Sequence, residues 1–389
     1  MRKNAAKMKR ITVLLAAATI LLLCGQAAAE KVITLSFTGD CTIGTEESTK
    51  YAPDSFNRAV EEKGYSYFFA NFYDLFSQDD CTVVNCECVL SDSNDGEVSE
   101  KNFRFRGPES FVNILKEGSV EAVSLANNHS KDYGGDGLLN TMRVLEEAGI
   151  GWAWDENIWV FEKDGIRIAF AGVDYGIFQR SNYIIRDKLL EMRKNGEINA
   201  VVMLIHEGKE FYPKHLGNQE MYGEYFIGTA GADLVIMHHP HVVQGIRILN
   251  NRSVFYSLGN FVFGAHNMVS RNAEEKTNSL YSLVVQARLY FSDDGVYRGQ
   301  QMILYPAYDS GADPVNNYQP VRITAEQAEP VWEAIQFDTE WQLPPLQTDE
   351  SGRAYAIMNY LPANETSPED TPPEEGEPEA AQPQPGRNR

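Results

Sequence analysis

The histidines of this chain are concentrated in its middle. All seven lie between His129 and His266, and three of them fall within the four residues 238–241, His-His-Pro-His. Imidazole nitrogens, together with carboxylate and amide oxygens, are ligands suited to Zn, Mn or Fe and less to Ca or Mg. Three imidazoles in four residues seldom serve packing alone, so we interpret this cluster as part of a metal site.

The spacing within the cluster predicts which of its imidazoles share a site. In an extended segment, residues two apart face the same way, so His239 and His241 are expected to reach one site while His238 points elsewhere. Pro240 lacks an N–H group and stiffens the backbone between the two ligands. The sequence therefore predicts two imidazole ligands held at a fixed separation.

Carboxylate and amide side chains that could complete such a site stand elsewhere in the chain, after short apolar segments. Each has a structural alternative: Asp40 as a turn or helix cap, Asn128 as part of a polar loop, and His206 as a core histidine. Glu87 is harder to explain structurally, because an unpaired carboxylate in a core strand is costly and needs a cation or an arginine.

Five apolar, β-rich segments lead into these polar residues, at 32–37, 81–85, 122–126, 200–205 and 234–237. Helical patterns lie between them, for example at 68–76, 110–117, 137–148 and 184–195. Strands that alternate with helices predict an α/β fold with much parallel pairing, in which functional residues gather at the carboxyl ends of the strands. We therefore expect six side chains to converge: Asp40, Glu87, Asn128, His206, His239 and His241.

Composition limits the partners and the location of the protein. The 389 residues carry a formal net charge of -21, which makes nucleic acid a poor partner. Residues 1–29 begin with basic residues, continue with an apolar run and end in Ala-Ala-Ala, which predicts a signal peptide and an extracytoplasmic protein. The alternative is that this segment stays uncleaved and anchors the protein in a membrane.

We predict four regions along the chain. After the signal peptide, residues 30–310 form one large α/β domain, residues 311–362 form a C-terminal appendage packed on it, and residues 363–389 form a disordered tail. The tail is rich in Pro and Glu and has no large apolar residue. Four cysteines follow the signal peptide, and we interpret them as buried thiols, although export would permit disulfides.

The segments that carry these residues resemble, in order, the motif set of the CapA family, whose members are linked to poly-γ-glutamate capsules. The motifs are FTGD at 37–40, NCE at 85–87, ANNHSKDYG at 126–134, HEGKEF at 206–211, GADLVIMHHPHVVQG at 231–245 and YSLGNF at 256–261. CapA-like domains resemble calcineurin-like metallophosphoesterases. The resemblance implies a β-sandwich flanked by helices, with one or two divalent ions (Mn, Zn or Fe) at the strand ends.

The resemblance also implies a role for each ligand. Asp40 would bind a first metal, which His241 would also bind, and Glu87 would bridge to a second. The remaining ligands of the second metal would be Asn128, His206 and His239.

Other residues are expected to act on the substrate. The resemblance implies that His129 contacts the scissile group or protonates a leaving atom, and that Asp132 orients His129. The guanidinium groups of Arg104 and Arg106 could bind a substrate anion, the alternative being a solvated edge strand. Glu210 and Asn260, in the later motifs, are further candidates for substrate contact. His215 lies outside the motifs, and we expect its replacement to leave metal content and turnover unchanged.

The chain departs from the family pattern at three positions. Thr42 stands where many metallophosphoesterases have a second histidine ligand, Glu207 where the family usually has tryptophan, and Met237 where it usually has glycine. The first change leaves the first metal site poor in ligands, so occupancy by a single metal becomes plausible. The second places a carboxylate near the metals.

The leading functional hypothesis is a CapA-like protein of capsule or poly-γ-glutamate synthesis or handling, which performs metal-dependent hydrolysis or transfer at an amide or phosphoryl centre. Its partners would be an anionic polymer and membrane components of a capsule synthase. One alternative is a metallophosphoesterase acting on a small exported phosphoester. Another is a noncatalytic, metal-containing protein that binds or assembles the polymer.

Overall fold

The protein is built around two packed β-sheets with helices outside them. In the computed structural model, the described residues are 30–264, 279–312 and 316–363. The predicted signal peptide, residues 364–389 of the predicted tail and His266 lie outside the described residues. Within the described ranges, no helix is both long enough and apolar enough to cross a membrane.

The strands are short except for three long ones at the centre. They are β1 Lys31–Thr42, β2 Cys81–Cys86, β3 Val89–Leu90, β4 Arg106–Gly107, β5 Ala122–Ser124, β6 Gly151–Ala153, β7 Trp159–Lys163, β8 Ile166–Asp174, β9 Ala200–His206, β10 Leu234–His238, β11 Ile246–Leu249, β12 Arg252–Phe255, β13 Asn260–Phe263, β14 Tyr281–Phe291, β15 Tyr297–Tyr308, β16 Val321–Arg322, β17 Gln347–Thr348, β18 Ala354–Ile357 and β19 Leu361–Pro362.

The described helices lie between the strands. They are α1 Phe56–Lys63, α2 Tyr73–Phe76, α3 Val112–Glu117, α4 Gly134–Ala148, α5 Tyr175–Lys194, α6 Gly217–Thr229 and α7 Ala325–Phe337. Short 3-10 helices cover Tyr65–Tyr67 and Glu109–Phe111.

Both sheets are parallel where they carry the predicted site. The larger sheet has the order β17-β18-β15-β14-β1-β2-β5-β6, and the smaller has the order β11-β12-β10-β9-β8-β7. Strands β1, β2, β5 and β6 run parallel, as do β8, β9, β10 and β12. The strands that carry candidate ligands therefore end on the same edge of their sheets.

Side chains alternate between the two faces of each sheet, so the apolar core has three layers: one between the sheets and one on the outer face of each. The inner faces of the two sheets share one apolar cluster, in which Val83 of β2 and Val202 of β9 both lie. The next residue in β2, Val84, faces α1 to α4, whereas Val201 of β9 faces α5 and α6. Strands buried on both faces need apolar side chains at nearly every position, which explains the continuous apolar runs in the sequence. The predicted α/β sandwich flanked by helices is thus observed.

The predicted helix at 68–76 is wrong in most of its length. Regular α-helix covers only Tyr73–Phe76, preceded by turns in which Phe68, Phe69 and Phe72 are fully buried. Aromatic side chains at helical spacing can point into a core from consecutive turns as well as from a helix, and their helix propensity is modest. The helix predicted at 184–195 is longer than expected, because it begins at Tyr175, where the Asp174 side chain accepts a hydrogen bond from Ile177 N.

The C-terminal segment belongs to the main core rather than resting on it. Strands β16, β18 and β19 all pair with β15 of the larger sheet. Helix α7 places Val331 and Ile335 in the apolar cluster between the two sheets, and Met358 joins them after β18. The described part of residues 311–362 is therefore continuous with the large domain.

Candidate metal centre

The structure brings together all six side chains expected to converge. Asp40 lies in β1, Glu87 directly follows β2, Asn128 follows β5, His206 ends β9, and His239 and His241 follow β10. Three overlapping groups have ligand atoms within 4.8 Å of one another. They are Glu87 with His206 and His239, Asp40 with Glu87 and His241, and Glu210 with His239 and His241.

Glu87 lies at the centre of the site. Its Oε1 atom is 3.4 Å from His206 Nε2. The same oxygen is 4.0 Å from His129 Nε2 and 4.0 Å from His241 Nε2. Although Glu87 is fully buried, this oxygen has no hydrogen-bond partner. An orphaned carboxylate oxygen facing several imidazole nitrogens is an unfavourable arrangement by itself, and a divalent cation fits it.

His206 connects the two halves of the site. Its Nε2 atom lies 2.8 Å from Asn128 Oδ1 and 3.0 Å from His239 Nδ1. On its other side, His206 Nδ1 lies 3.3 Å from Asn85 Nδ2. Asn128, His206 and His239 thus meet at one position, which is the set that the family resemblance implies for the second metal.

The two histidines after β10 reach the site by a different backbone path from the predicted one. His239 and His241 have φ angles of 102° and 56°, so the segment is not extended. Such positive values are uncommon for residues other than glycine, and they mark a functional segment whose strain other contacts offset. His238 does point elsewhere, as predicted, with its Nε2 atom 2.9 Å from the carbonyl oxygen of Thr38.

Burial and mutual contacts shift the protonation of the site. Burial alone would raise the pKa of Asp40, but its hydrogen bond with His241 and the charges of nearby histidines hold the pKa of this carboxyl well below its usual range. Burial raises the pKa of Glu87 well above its usual value, and the charge of Asp40 adds to that effect.

The pKa values of the three candidate histidine ligands shift in different directions. Burial lowers the pKa of His206 well below its usual value and that of His239 to about 4. Burial would lower the pKa of His241, but its hydrogen bonds with Asp40 and Asn260 and the charges of Asp40 and Glu210 together raise it. His206 and His239 are consequently neutral near pH 7, which is the form in which imidazole binds metal.

His129 and Asp132 form a pair beside this group of ligands. His129 Nδ1 lies 2.7 Å from Asp132 Oδ2, and the same oxygen accepts a hydrogen bond from Phe105 N at 2.8 Å. Lys101 Nζ contacts the other oxygen of Asp132 at 2.5 Å and also the carbonyl oxygen of Asn128. Asp132 is fully buried, so the His129 ring is fixed with Nε2 toward Glu87.

Two asparagines, Asn85 and Asn127, support the site although the sequence analysis assigned them no role. Lys101, which contacts Asp132, is a third such residue. Asn85 Nδ2 donates to Asp40 Oδ1 at 2.8 Å, and Asn127 Nδ2 donates to Asn85 Oδ1 at 3.2 Å. Asn127 Oδ1 in turn accepts a hydrogen bond from His129 N. The signal was present in the sequence: Asn85 ends an apolar strand, and a buried amide needs partners just as a buried carboxylate does.

The two arginines predicted to bind a substrate anion have carboxylate partners in the protein. Arg104 Nε contacts Glu97 at 2.7 Å, and an Arg106 terminal nitrogen contacts Glu47 at 2.5 Å. The Arg106 side chain is only 9% exposed and lies over the Tyr133 ring. These contacts weigh against the predicted anion-binding role, because the positive charges are already compensated.

The two other candidates for substrate contact differ in position. Asn260 is fully buried, and its Oδ1 atom lies 2.9 Å from His241 Nδ1, so it orients that histidine and has no surface open to a substrate. Glu210 is exposed, in the loop after β9, near His239 and His241.

Two of the three positions that depart from the family pattern, Thr42 and Glu207, have hydrogen-bond partners within the protein. The Thr42 hydroxyl accepts a hydrogen bond from Gly264 N at 2.5 Å and is fully buried, so it connects two strand ends. Glu207 is buried and accepts hydrogen bonds from Gly208 N and Asn218 Nδ2, while burial raises its pKa. Its carboxylate is thus held by its own loop.

The cysteines that the structure describes are free and buried. Cys86 and Cys88 flank Glu87, and their sulfur atoms lie 3.9 Å apart on the opposite side of the strand end from the site. The interpretation of these residues as buried thiols agrees with this arrangement.

Comparison with known proteins identifies the family. A family described as "Bacterial capsule synthesis protein PGA_cap" matches residues 34–265. The chain belongs to this family. The resemblance to CapA proteins that the motifs indicated is thereby confirmed.

Two curated relatives of this PGA_cap chain carry the CapA name. It is 27% identical over 255 residues to the capsule biosynthesis protein CapA of Bacillus anthracis, a match that covers 59% of this chain and 60% of that protein. It is 26% identical over 255 residues to the PGA biosynthesis protein CapA of Bacillus subtilis (strain 168), covering 60% of this chain and 64% of that protein. The chain thus matches less than two thirds of the length of either relative.

Solved structures with a similar chain trace include a hypothetical protein from Thermus thermophilus, with a TM-score of 0.42 and 17% identity over 70% of this chain and 99% of that one. Another is the calcineurin-like phosphoesterase YfkN from Bacillus subtilis, with a TM-score of 0.39 and 15% identity over 69% of this chain and 88% of that one.

Proposed function

We propose that this PGA_cap protein is a metal-dependent hydrolase or transferase that acts outside the cytoplasm in the synthesis or handling of a poly-γ-glutamate capsule. The observation that carries the proposal is the orphaned Glu87 Oε1 atom, fully buried among imidazole nitrogens. The family and the names of its Bacillus relatives support the polymer. The composition of residues 1–29 supports export.

The proposed site would hold one or two divalent ions through Asp40, Glu87, Asn128, His206, His239 and His241. A bound Mn, Zn or Fe ion would polarise the phosphoryl or carbonyl oxygen of the substrate. The donor set of three imidazoles, two carboxylates and one amide suits these metals. Asn85 and Asn260 would keep Asp40 and His241 in the orientations that binding requires.

His129 is the residue placed to move a proton. Asp132 accepts the hydrogen bond of Nδ1–H and fixes the ring, so Nε2 is directed into the site. There the imidazolium form of His129 can donate its Nε2 proton to the leaving atom of the substrate and become neutral. The Phe105 ring packs against the imidazole at 4.6 Å between centroids and limits its rotation. An oriented imidazole beside the ligands favours a catalytic protein over one that only binds a polymer.

The negative charge of a polyglutamate substrate needs compensation in a chain with a formal charge of -21. Arg104 and Arg106 are paired with Glu97 and Glu47, so they contribute little net positive charge. The bound cations would therefore supply most of the attraction for the anion at the reacting centre. This makes binding of the polymer, as well as its turnover, dependent on metal.

A metal analysis combined with a choice of substrates tests the proposal. The purified protein is expected to contain Mn, Zn or Fe by elemental analysis and to cleave or transfer a γ-linked glutamyl polymer only when the metal is present. Hydrolysis of p-nitrophenyl phosphate without any action on the polymer would point to a small phosphoester as substrate. Metal-dependent binding of the polymer without turnover would exclude a catalytic role and indicate a polymer-binding protein. A protein that binds no divalent metal would overturn the proposal entirely.

A further inference from the structure

Glu210 lies at the mouth of the proposed metal site, in the loop after β9. One of its carboxylate oxygens and one nitrogen each of His239 and His241 lie within 4.8 Å of one another. This group shares His239 with the Glu87–His206 group and His241 with the Asp40–Glu87 group. Because Glu210 is exposed while Asp40, Glu87 and His241 are buried, it approaches both groups from the solvent side.

The backbone around Glu210 holds it next to the histidines. The following residue, Phe211, has a φ of 57°, and its N–H donates to the carbonyl oxygen of Pro240 at 2.8 Å. The Phe211 ring lies 5.9 Å from the His241 ring. Further along the loop, the carbonyl oxygens of Tyr212 and Lys214 accept hydrogen bonds from Gln244, which lies in the segment after β10. The loop is thus fixed directly to the segment that carries both imidazoles.

Among the residues that the structure describes, the candidate group for the first metal has three members. They are Asp40, Glu87 and His241, whereas the Thr42 hydroxyl accepts a hydrogen bond from Gly264 N. Protein sites for Zn and similar ions commonly have four or more donors. Glu210 lies outside the buried set, and its carboxylate forms a candidate ligand group with His239 and His241.

Charge argues against Glu210 as a contact for the substrate. A carboxylate repels the carboxylates of polyglutamate and the oxygens of a phosphoester, whereas it attracts a divalent cation.

We propose that Glu210 is a metal ligand, which binds a divalent cation together with His239 and His241 and closes the site from the solvent side. The proposal rests on the proposed function in one respect, since it requires a cation at this site. It replaces the expectation that Glu210 contacts substrate.

Metal titration of Glu210→Gln tests the assignment without an activity assay. Chelator-treated wild type, Glu210→Gln and Glu224→Gln are titrated with Mn²⁺ by calorimetry, and with Zn²⁺ and Fe²⁺ in parallel. Bound metal is counted by elemental analysis. We expect Glu210→Gln to bind one equivalent at least about 10-fold more weakly, the scale on which even supporting residues of metal sites act. Glu224, exposed on α6 and paired with Arg247, is the matched control and should leave both values unchanged.

The outcomes separate the two proposals. If wild type binds Mn²⁺ and Glu210→Gln binds it with the same affinity and stoichiometry, Glu210 is no ligand, while the proposed function stands. If wild type binds no Mn²⁺, Zn²⁺ or Fe²⁺, the proposed function fails and this inference fails with it. Circular dichroism of the metal-free variants should match that of wild type, because Glu210 is exposed and its replacement removes no packing.

Discussion

At the scale of single residues, the site is organised around a carboxylate that is costly without a cation. Glu87 is fully buried with one orphaned oxygen, and burial raises its pKa well above the usual value. A carboxyl whose pKa is raised on folding contributes less to stability as the pH rises above its unfolded value of about 4.5. Near pH 7, therefore, metal-free protein bears a penalty at this residue that a bound cation would relieve.

Replacement of Glu87 should reveal that penalty. In chelator-treated protein at pH 7, we expect Glu87→Gln to raise the free energy of unfolding by about 1–3 kcal/mol, the range for relief of an unpartnered buried polar group. Unlike wild type, the variant should gain little stability from Mn²⁺, because a central ligand is lost. Urea unfolding with and without Mn²⁺ measures both effects.

Glu121→Gln is the control for the Glu87 measurement. Glu121 lies near the other end of β2, where its carboxylate accepts a hydrogen bond from Thr82 N at 2.7 Å. Burial raises the pKa of Glu121 as well, but its hydrogen bonds offset part of that effect, and it is remote from the proposed ligands. Its replacement should therefore change metal-free stability less than Glu87→Gln does and should preserve the response to Mn²⁺. A metal-free Glu87→Gln protein that is less stable than wild type would contradict the argument.

His129 and His239 should respond differently to the same substitution. His239→Ala is expected to lower metal content and thermal stability together, because metal bound to the native state stabilises it. His129→Ala should keep the metal while lowering turnover by roughly 10²-fold or more, the scale for loss of a general acid. Elemental analysis, melting curves and initial rates on the same preparations separate the two roles. Loss of metal from His129→Ala to the same extent would make His129 a ligand.

At the scale of elements, the C-terminal segment supports the segment that carries the histidines. Asp338, at the end of α7, accepts hydrogen bonds from Gly245 N at 2.8 Å and from His215 N at 2.9 Å. Gly245 permits this approach, since a Cβ atom there would lie 1.9 Å from the carbonyl oxygen of Asp338. Thr339 and Trp341 add hydrogen bonds to Ile246. The site is therefore positioned partly from outside the family motifs.

His215 connects these elements through its side chain. Its Nδ1 atom lies 2.9 Å from Asp338, its ring stacks on Tyr256 at 4.0 Å, and Glu220 lies 3.6 Å from Nε2. Burial would lower the pKa of His215, but the hydrogen bond with Asp338 and the charges of Asp338 and Glu220 raise it. His215, whose replacement is expected to leave metal content and turnover unchanged, thus contributes to the stability of the fold.

The contact between His215 and Asp338 predicts that the difference in unfolding free energy between wild type and His215→Ala depends on pH. Because the pKa of His215 is higher in the folded state, its charge contributes fully below the unfolded value of about 6.5 and is lost as the pH rises through the folded value. The stability gap between the two proteins should therefore be larger at pH 6 than at pH 9. Urea unfolding at both values measures the gap, and metal content should be equal in the two proteins. A gap that widens toward pH 9 would contradict the sign.

At the scale of the whole molecule, the core does not stop where the family match ends. The match covers residues 34–265, yet β14 and β15 form the centre of the larger sheet and pair with β16, β18 and β19 near the C-terminus. The inner cluster includes side chains from β1 through to Met358. Cooperative stability should therefore extend over the described residues from β1 to β19.

Two truncations test the extent of this core. Removal of residues 364–389 should leave the melting temperature nearly unchanged, since that stretch has no large apolar side chain to offset its ordering entropy. Removal of residues 325–389 should prevent stable folding, because it takes α7 and β18 out of the inner cluster. Melting curves of both variants against wild type provide the measurement. A drop of many degrees after the shorter truncation would show that the tail packs on the domain.

The sequence by itself determined which residue types form the candidate site and which strands carry them. Buried parallel strands must be apolar on both faces, so their ends are visible in the sequence as polar residues after apolar runs, and parallel connection places those ends on one edge. Asp40, Glu87, Asn128, His206 and the two later histidines could be predicted for that reason. The motif order was sufficient to indicate the family.

Only the tertiary structure decided which other residues support the site and how. The left-handed backbone at His239 and His241 depends on contacts made by distant loops, which local spacing does not encode. The same holds for the pairing of Arg104 and Arg106 with Glu97 and Glu47, and for the approach of Glu210 to the imidazoles. A charged side chain in a loop can reach several partners, and the packing of the rest of the chain selects one of them.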